Sequence, residues 1–126
     1  MDGQIIFEYD IPRLGKRVDA VLLFRGIIFC LEFKVGEGEI LSGDIDQVFD
    51  YALDLKNFHK FSQDNIIVPI LIATKHKSSS TKVQMSVYDD KVVNPLVTGA
   101  QNLSQIIDLT LTEFPGEPPI NKDWII

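Results

Sequence analysis

The stretch Arg17–Lys34, RVDAVLLFRGIIFCLEFK, decides the fold. Two β-branched and aromatic-rich runs, Arg17–Phe24 and Ile27–Lys34, flank Arg25-Gly26, where the glycine can take the positive φ that a two-residue hairpin loop needs. With that loop, paired positions sum to 51, so Phe24 faces Ile27 and Asp19 faces Glu32. Because side chains alternate along strands, Arg17, Asp19, Val21 and Leu23 share a face with Ile28, Cys30, Glu32 and Lys34. The opposite face, from Val18 and Ala20 to Leu31 and Phe33, is wholly apolar. The sequence thus predicts one core face and one face that carries charge at one end.

Working outward, Ile5–Asp10 alternates as a half-buried strand and Pro12–Gly15 supplies a turn. A four-residue loop there makes pairs sum to 27 and sets Glu8 opposite Asp19. On the other side, Gly36 and Gly38 break the pattern before Ile45, Val48, Phe49, Ala52 and Leu55 recur at helical spacing. A helix is therefore expected over Asp44–His59, capped by Ser42 or Asp44. Ile66–Thr74 reads as a buried strand, with Pro69 pointing to an edge or a bulge because it lacks an amide donor. Beyond a polar loop at Lys75–Thr81 come a weaker strand at Val83–Tyr88, a short one at Val92–Val93, and a helix from about Asn102 to Thr112. The tail Phe114–Ile126, with three prolines, reads as a linker, so the domain is expected over 1–113 and the tail over 114–126. This order makes a mixed α/β domain with one helix layer or two.

A chain of 126 residues has room for one domain. Its longest apolar runs, Ala20–Phe24 and Ile27–Leu31, fall far short of the roughly 20 residues of a membrane-spanning helix. The N-terminal MDGQIIFEYD lacks the pattern of a secretion signal and the single Cys30 cannot form an intrachain disulfide, so a reducing, cytoplasmic setting is expected. A net charge of −6 argues against nonspecific attraction to nucleic acid, which leaves local contacts. Arg13, Lys16 and Arg17, and Lys75-His76-Lys77, are the basic islands that could make them. The alternative for both is solvated loop charge. Cys30, on the carboxylate face, reads as a small packed residue and His59 as a dipole partner at a helix end.

Opposed carboxylates destabilise a sheet by at most about 1 kcal/mol and tend to hold a proton unless a cation neutralises them. Asp19 and Glu32 offer the hard oxygen ligands that suit Mg²⁺ or Mn²⁺, and Lys34 could position or activate a water on the same face. The plain alternative is a ladder of salt bridges, Arg17 with Glu32 and Lys34 with Asp19. Gln47 and Tyr51 share a helix face at i and i+4, and an amide with a phenol suits phosphate or sugar contact. Against that, Asp44-x-x-Gln47 is itself a capping-box pattern, and Tyr51 could be a core aromatic.

Asp19 followed by Glu32-Phe33-Lys34 resembles the D…ExK signature of the PD-(D/E)XK nuclease superfamily, whose core runs αβββαβ. The resemblance covers roughly Ile5 to Thr74, with the leading helix absent and a further strand and C-terminal helix added. Gln47 and Tyr51 resemble the QxxxY motif of its RecB-like branch. The strings FEYDIPRLGKRVDAVLLFRG, LEFKVGEGE, DQVFDYALDLKNFH and VPILIAT are similar to a nuclease-like module that precedes a helicase-like ATPase in prokaryotic proteins. This chain has no GxxxxGK[ST] phosphate loop of its own.

The resemblance implies a restriction-endonuclease-like sheet and a Mg²⁺- or Mn²⁺-dependent nuclease acting on DNA. Asp19, Glu32 and Lys34 would be catalytic, and Asp19 and Glu32 the metal ligands. Glu8 would replace the acid that the missing helix donates, although a solvated Glu8 is the plainer reading. Gln47, Tyr51, Arg17 and Lys75 would bind substrate. A second copy of the chain could supply the missing helix through a homodimer. The alternative is a nonhydrolytic nucleic-acid-binding or protein-interaction module within a larger helicase-like protein.

Overall fold

The computed structural model describes residues 3–11, 15–35, 42–74, 85–122 and 124, the side chain of Phe58 excepted. The hairpin at its centre forms as its loop demands. Arg25 and Gly26 both take left-handed backbone, at φ 49° and 81°, the conformation whose twist matches two antiparallel strands. β2 (Lys16–Phe24) and β3 (Ile27–Lys34) pair from Phe24–Ile27 to Ala20–Leu31, and β1 (Gln4–Ile11) pairs with β2 from Gln4–Leu23 to Ile11–Lys16. Both registers keep the sums of 51 and 27.

After β3 the chain crosses through α1 (Ser42–Phe58) to β4 (Ile66–Ala73), which lies parallel to β3 with Ile27 opposite Ile66 and Lys34 opposite Ala73. β5 (Leu96–Gly99) pairs parallel to β4, and α2 (Leu103–Glu113) closes the fold. The result is an α/β protein with a mixed five-stranded sheet in sequential order. Among the described residues no helix is long and apolar enough to cross a membrane.

Both faces of the sheet are core, where the alternation pattern predicts only one. Val48, Ala52 and Leu55 of α1 pack on Val21, Leu23, Ile28, Cys30, Ile67 and Leu71. On the other face Ile106 of α2, with Leu103, Ile107 and Leu111, covers Ala20, Phe29, Leu31, Val68 and Ile70. β4 is buried along its whole length, as a strand between two helix layers must be. Alternation also slips at one point. Ile6 and Val21 lie on the α1 face, but so do Tyr9 and Val18, one position out of phase. Glu8, between them, has φ 53°, and this local left-handed step re-aims the side chains on either side of it.

Three further expectations are corrected. Pro69 stands in a central strand, not at an edge or bulge. Ile67 exchanges backbone bonds with Lys91 and Val93 on the β5 side, and two residues on the missing Pro69 donor faces the same side, before β5 begins at Leu96. The strand expected at Val83–Tyr88 is, among the described residues, an isolated bridge from Val87 to Val93, and Val92 likewise makes a single bridge to Ile67. The fifth strand is Leu96–Gly99, four residues with little apolar run to announce them.

The third correction concerns the tail. Within the stretch read as a linker, Phe114 and Ile120 pack against the core and Trp124 is the largest fully buried side chain among the described residues. Asn65 Nδ2 donates to Gly26 O and to Pro118 O, both at 2.9 Å, so one side chain ties the hairpin loop to the tail. Nearby, the buried Lys56 ammonium donates to the carbonyls of Ser62, Gln63 and Asn65, and burial pulls its pKa down to about 8. A Cβ on Gly26 would stand 2.5 Å from Pro118 O. Gly26→Ala therefore combines backbone strain with a collision and is expected to cost about 2–4 kcal/mol, seen as a lower urea midpoint. Gly15→Ala is the control. It has positive φ but nothing within 4 Å, and should lose only the strain.

Candidate functional site

The acid pair sits where β2 parts from β3. Their ladder runs only to Ala20–Leu31, and the two carboxylates take over its hydrogen bonds. The Asp19 N–H donates to Glu32 Oε1 at 2.8 Å, and the Phe33 N–H donates to Asp19 Oδ2 at 2.9 Å. Among the described residues, each acid thus spends one oxygen on the other's strand and has no hydrogen bond on its second. The sequence expectation that the two would meet across the hairpin holds, with backbone amides as the cement.

Electrostatics sharpens the site. Burial raises the Glu32 pKa, the Asp19 N–H hydrogen bond opposes that rise, and the Asp19 charge adds to it. Directly behind, the fully buried Cys30 thiol is pushed up by burial and then by the charges of Glu32 and Asp19, so it stays protonated and inert. This agrees with its reading as a packed residue.

α1 lies over the pair. Tyr51 is only 8% exposed, and its hydroxyl oxygen accepts a hydrogen bond from Gln47 Nε2 at 2.7 Å. Burial raises the pKa of the Tyr51 phenol, the Gln47 hydrogen bond lowers it, and the charges of Glu32, Lys16 and Asp19 act on it in lesser degree. Since α1 starts at Ser42, Asp44 is in its first turn instead of at its cap, and Gln47 turns to Tyr51. The capping-box reading of Asp44 and Gln47 is replaced by two separate contacts.

Two lysine–aspartate struts join the sheet to α1 on either side of Tyr51. Lys34 Nζ is 2.9 Å from Asp44 Oδ2, and Lys16 Nζ is 3.1 Å from Asp54 Oδ2. The ladder of diagonal salt bridges does not form, because Lys34 goes to Asp44 and Arg17 to Asp10, at 3.1 Å. Arg17 is exposed beside Asp10 and Glu8, off the carboxylate face where strict alternation puts it. The slip at Glu8 is the cause, and it brings Lys16 to the α1 side in its place. Sequence reasoning set Lys16 among the basic islands but missed its reach to Asp54, a pairing that only the packing of α1 on β2 makes visible.

Glu8 is exposed and is not gathered with the pair: among the described residues no three of His, Cys, Asp and Glu form a cluster that could hold a metal ion. The Glu8 backbone is left-handed, at φ 53°. Lys75, with His76, Lys77 and Arg13, lies outside the described residues. His59 is buried away from the pair, against Tyr9, Phe61, Ser62 and Trp124.

Among the described residues, the donor set that remains is one oxygen from each of Asp19 and Glu32. Mg²⁺ is commonly held by one or two carboxylates, with water and substrate phosphate completing its shell, so this pair fits such an ion. Comparisons with protein-family models, with curated proteins and with solved structures found no match to this chain.

Proposed function

We propose that the chain is a metal-dependent nuclease module of the PD-(D/E)XK type, hydrolysing phosphodiester bonds in nucleic acid, with DNA the first substrate to test. The observation that carries this reading is the reciprocal capping of Asp19 and Glu32, which among the described residues leaves the second oxygen of each without a hydrogen bond. Nothing in a plain sheet calls for a half-buried acid pair at the point where two strands part, and its charge cost is what a bound cation would relieve.

A divalent ion held by the pair would neutralise phosphate charge and make a bound water more acidic. The chain's own groups do the rest. Lys34, set by Asp44, donates N–H bonds toward the charge that develops on phosphate oxygens. Tyr51 accepts from Gln47, which leaves its phenolic proton for an oxygen of the substrate backbone. Lys16 supplies a second cation on the far side of Tyr51 and exchanges Asp54 for a phosphate when substrate arrives.

A nonhydrolytic binding module is the second reading, favoured by one observation: the Lys34 charge is already matched by Asp44. Incubation of labelled single- and double-stranded DNA with Mn²⁺ or Mg²⁺ separates the two. Cleavage that depends on the ion and falls about 10²–10³-fold in Lys34→Ala is the expected result. Binding without cleavage in both proteins supports the second reading, and neither binding nor cleavage overturns both.

A further inference from the structure

The part of the molecule that this function leaves unused is the junction of α1, the 3₁₀ turn Lys60–Ser62 and the tail. His59 Nε2 lies 3.1 Å from Trp124 O, His59 Nδ1 lies 2.8 Å from Ser62 Oγ, and Trp124 Nε1 donates to the same Oγ at 2.7 Å. The directions of these bonds follow from chemistry. A carbonyl oxygen only accepts, so Nε2 carries the proton and the neutral imidazole keeps Nδ1 as an acceptor. The indole N–H only donates, so Ser62 accepts from Trp124 and gives its own proton to Nδ1. The bonds close a ring: indole to hydroxyl, hydroxyl to imidazole, imidazole back to the Trp124 carbonyl.

We propose that His59, Ser62 and Trp124 form a proton-operated latch that holds the C-terminal strap on the domain while the imidazole is neutral and releases it when Nδ1 is protonated. Protonation turns Nδ1 into a donor, so Ser62 Oγ faces two donors and its own proton loses its acceptor in a wholly buried place. Among the described residues no carboxylate stands against the ring to meet the new charge. Around the ring stand Tyr9 from β1, 6.0 Å away edge-on, Phe61 from the 3₁₀ turn and the Trp124 indole, 4.4 Å away. The nearby cations do not help: Lys56 at the end of α1 is committed to three carbonyls, and Lys60 sits over Phe61.

Linkage gives the direction. Burial lowers the imidazole pKa in the fold, against a weaker opposite effect of the Trp124 carbonyl. The unfolded chain therefore binds more protons below about 6.5, and the latch weakens as pH falls through that region. At neutral pH it is shut. Trp124, Asn65 and Pro118 hold one strap, so loss of the ring frees its far end first while Asn65 still holds its middle.

The chain has one tryptophan, so fluorescence reports the latch without labelling. On acidification the emission maximum should shift to the red with a midpoint below 6.5, while far-UV circular dichroism stays unchanged. In His59→Gln the amide can still donate to Trp124 O and accept from Ser62 but does not titrate, so the shift should be absent. An equal shift in both proteins overturns the latch, as does a red shift that coincides with loss of circular dichroism. Quenching without a shift also overturns it, because that is an imidazolium beside an indole that has not moved. Should His59→Gln fail to fold, ring-nitrogen chemical shifts of the wild type decide: the Nε2–H tautomer at neutral pH is required, and the Nδ1–H tautomer refutes the ring.

Discussion

Trp124→Ala will lower stability by about 3–5 kcal/mol, the range for removing a large buried aromatic, and will do so from a segment that composition marks as a tail. Trp124 is 0% exposed, its ring packs against Tyr9 at 4.9 Å, and its N–H is satisfied by Ser62. Truncation leaves a cavity and takes away the indole donor of a buried hydroxyl, and these costs add. Since a domain of this kind is stable by only about 5–15 kcal/mol, the loss is a large share of the total. Urea unfolding followed by circular dichroism measures it. A midpoint within experimental error of wild type would mean that the strap does not pack on the core in solution.

Glu32→Gln will separate stability from activity. The raised pKa of Glu32 means that the native state holds its proton more tightly than the unfolded chain does. Stability therefore falls as pH rises from the ordinary 4.5 upward, as this half-buried acid ionises. Glutamine removes the charge, and its carbonyl still accepts from the Asp19 N–H. The variant should unfold at a higher urea concentration than wild type at neutral pH, and the gap should close on acidification. Cleavage, in contrast, should drop on the order of 10³-fold if the proposed metal site is right, since one of its two proposed ligands has gone. A protein stabilised by losing one carboxylate has been keeping that carboxylate for a purpose other than folding. If Glu32→Gln instead lowers stability at neutral pH, the acid is structural and its pKa is not raised.

The hairpin was legible from its loop alone. Two residues between strands fix the register, and the sum of 51 carries Asp19 to Glu32 without any tertiary information. The sum of 27 held for β1 for the same reason. Faces were less legible than registers. Strict alternation put Arg17 beside Asp19, and the left-handed step at Glu8 turned Arg17 to Asp10 and Lys16 to Asp54. No residue type announced that step, since Glu is not a usual left-handed residue. Pro69 was misplaced because a proline argues against a central strand only if its amide faces a partner, and here it faces a gap between bridges. The tail was misread because prolines set backbone stiffness and say nothing of what a lone tryptophan five residues after the last of them will bury.

Within the site, Gln47 and Tyr51 at i and i+4 were legible as a pair, and they bond each other. Asp44 was not: a first-turn acid reads as a cap or a dipole partner, whereas its contact with Lys34 depends on how α1 lies on β3.

The central claim is that Asp19 and Glu32 hold a divalent ion, and titration calorimetry of Mn²⁺ into the wild type and into Glu32→Gln tests it without needing the right substrate. The account predicts saturable binding at a single site in the wild type and its loss in the variant, with both proteins folded by circular dichroism. No binding by folded wild type, or equal binding by the two proteins, would contradict it.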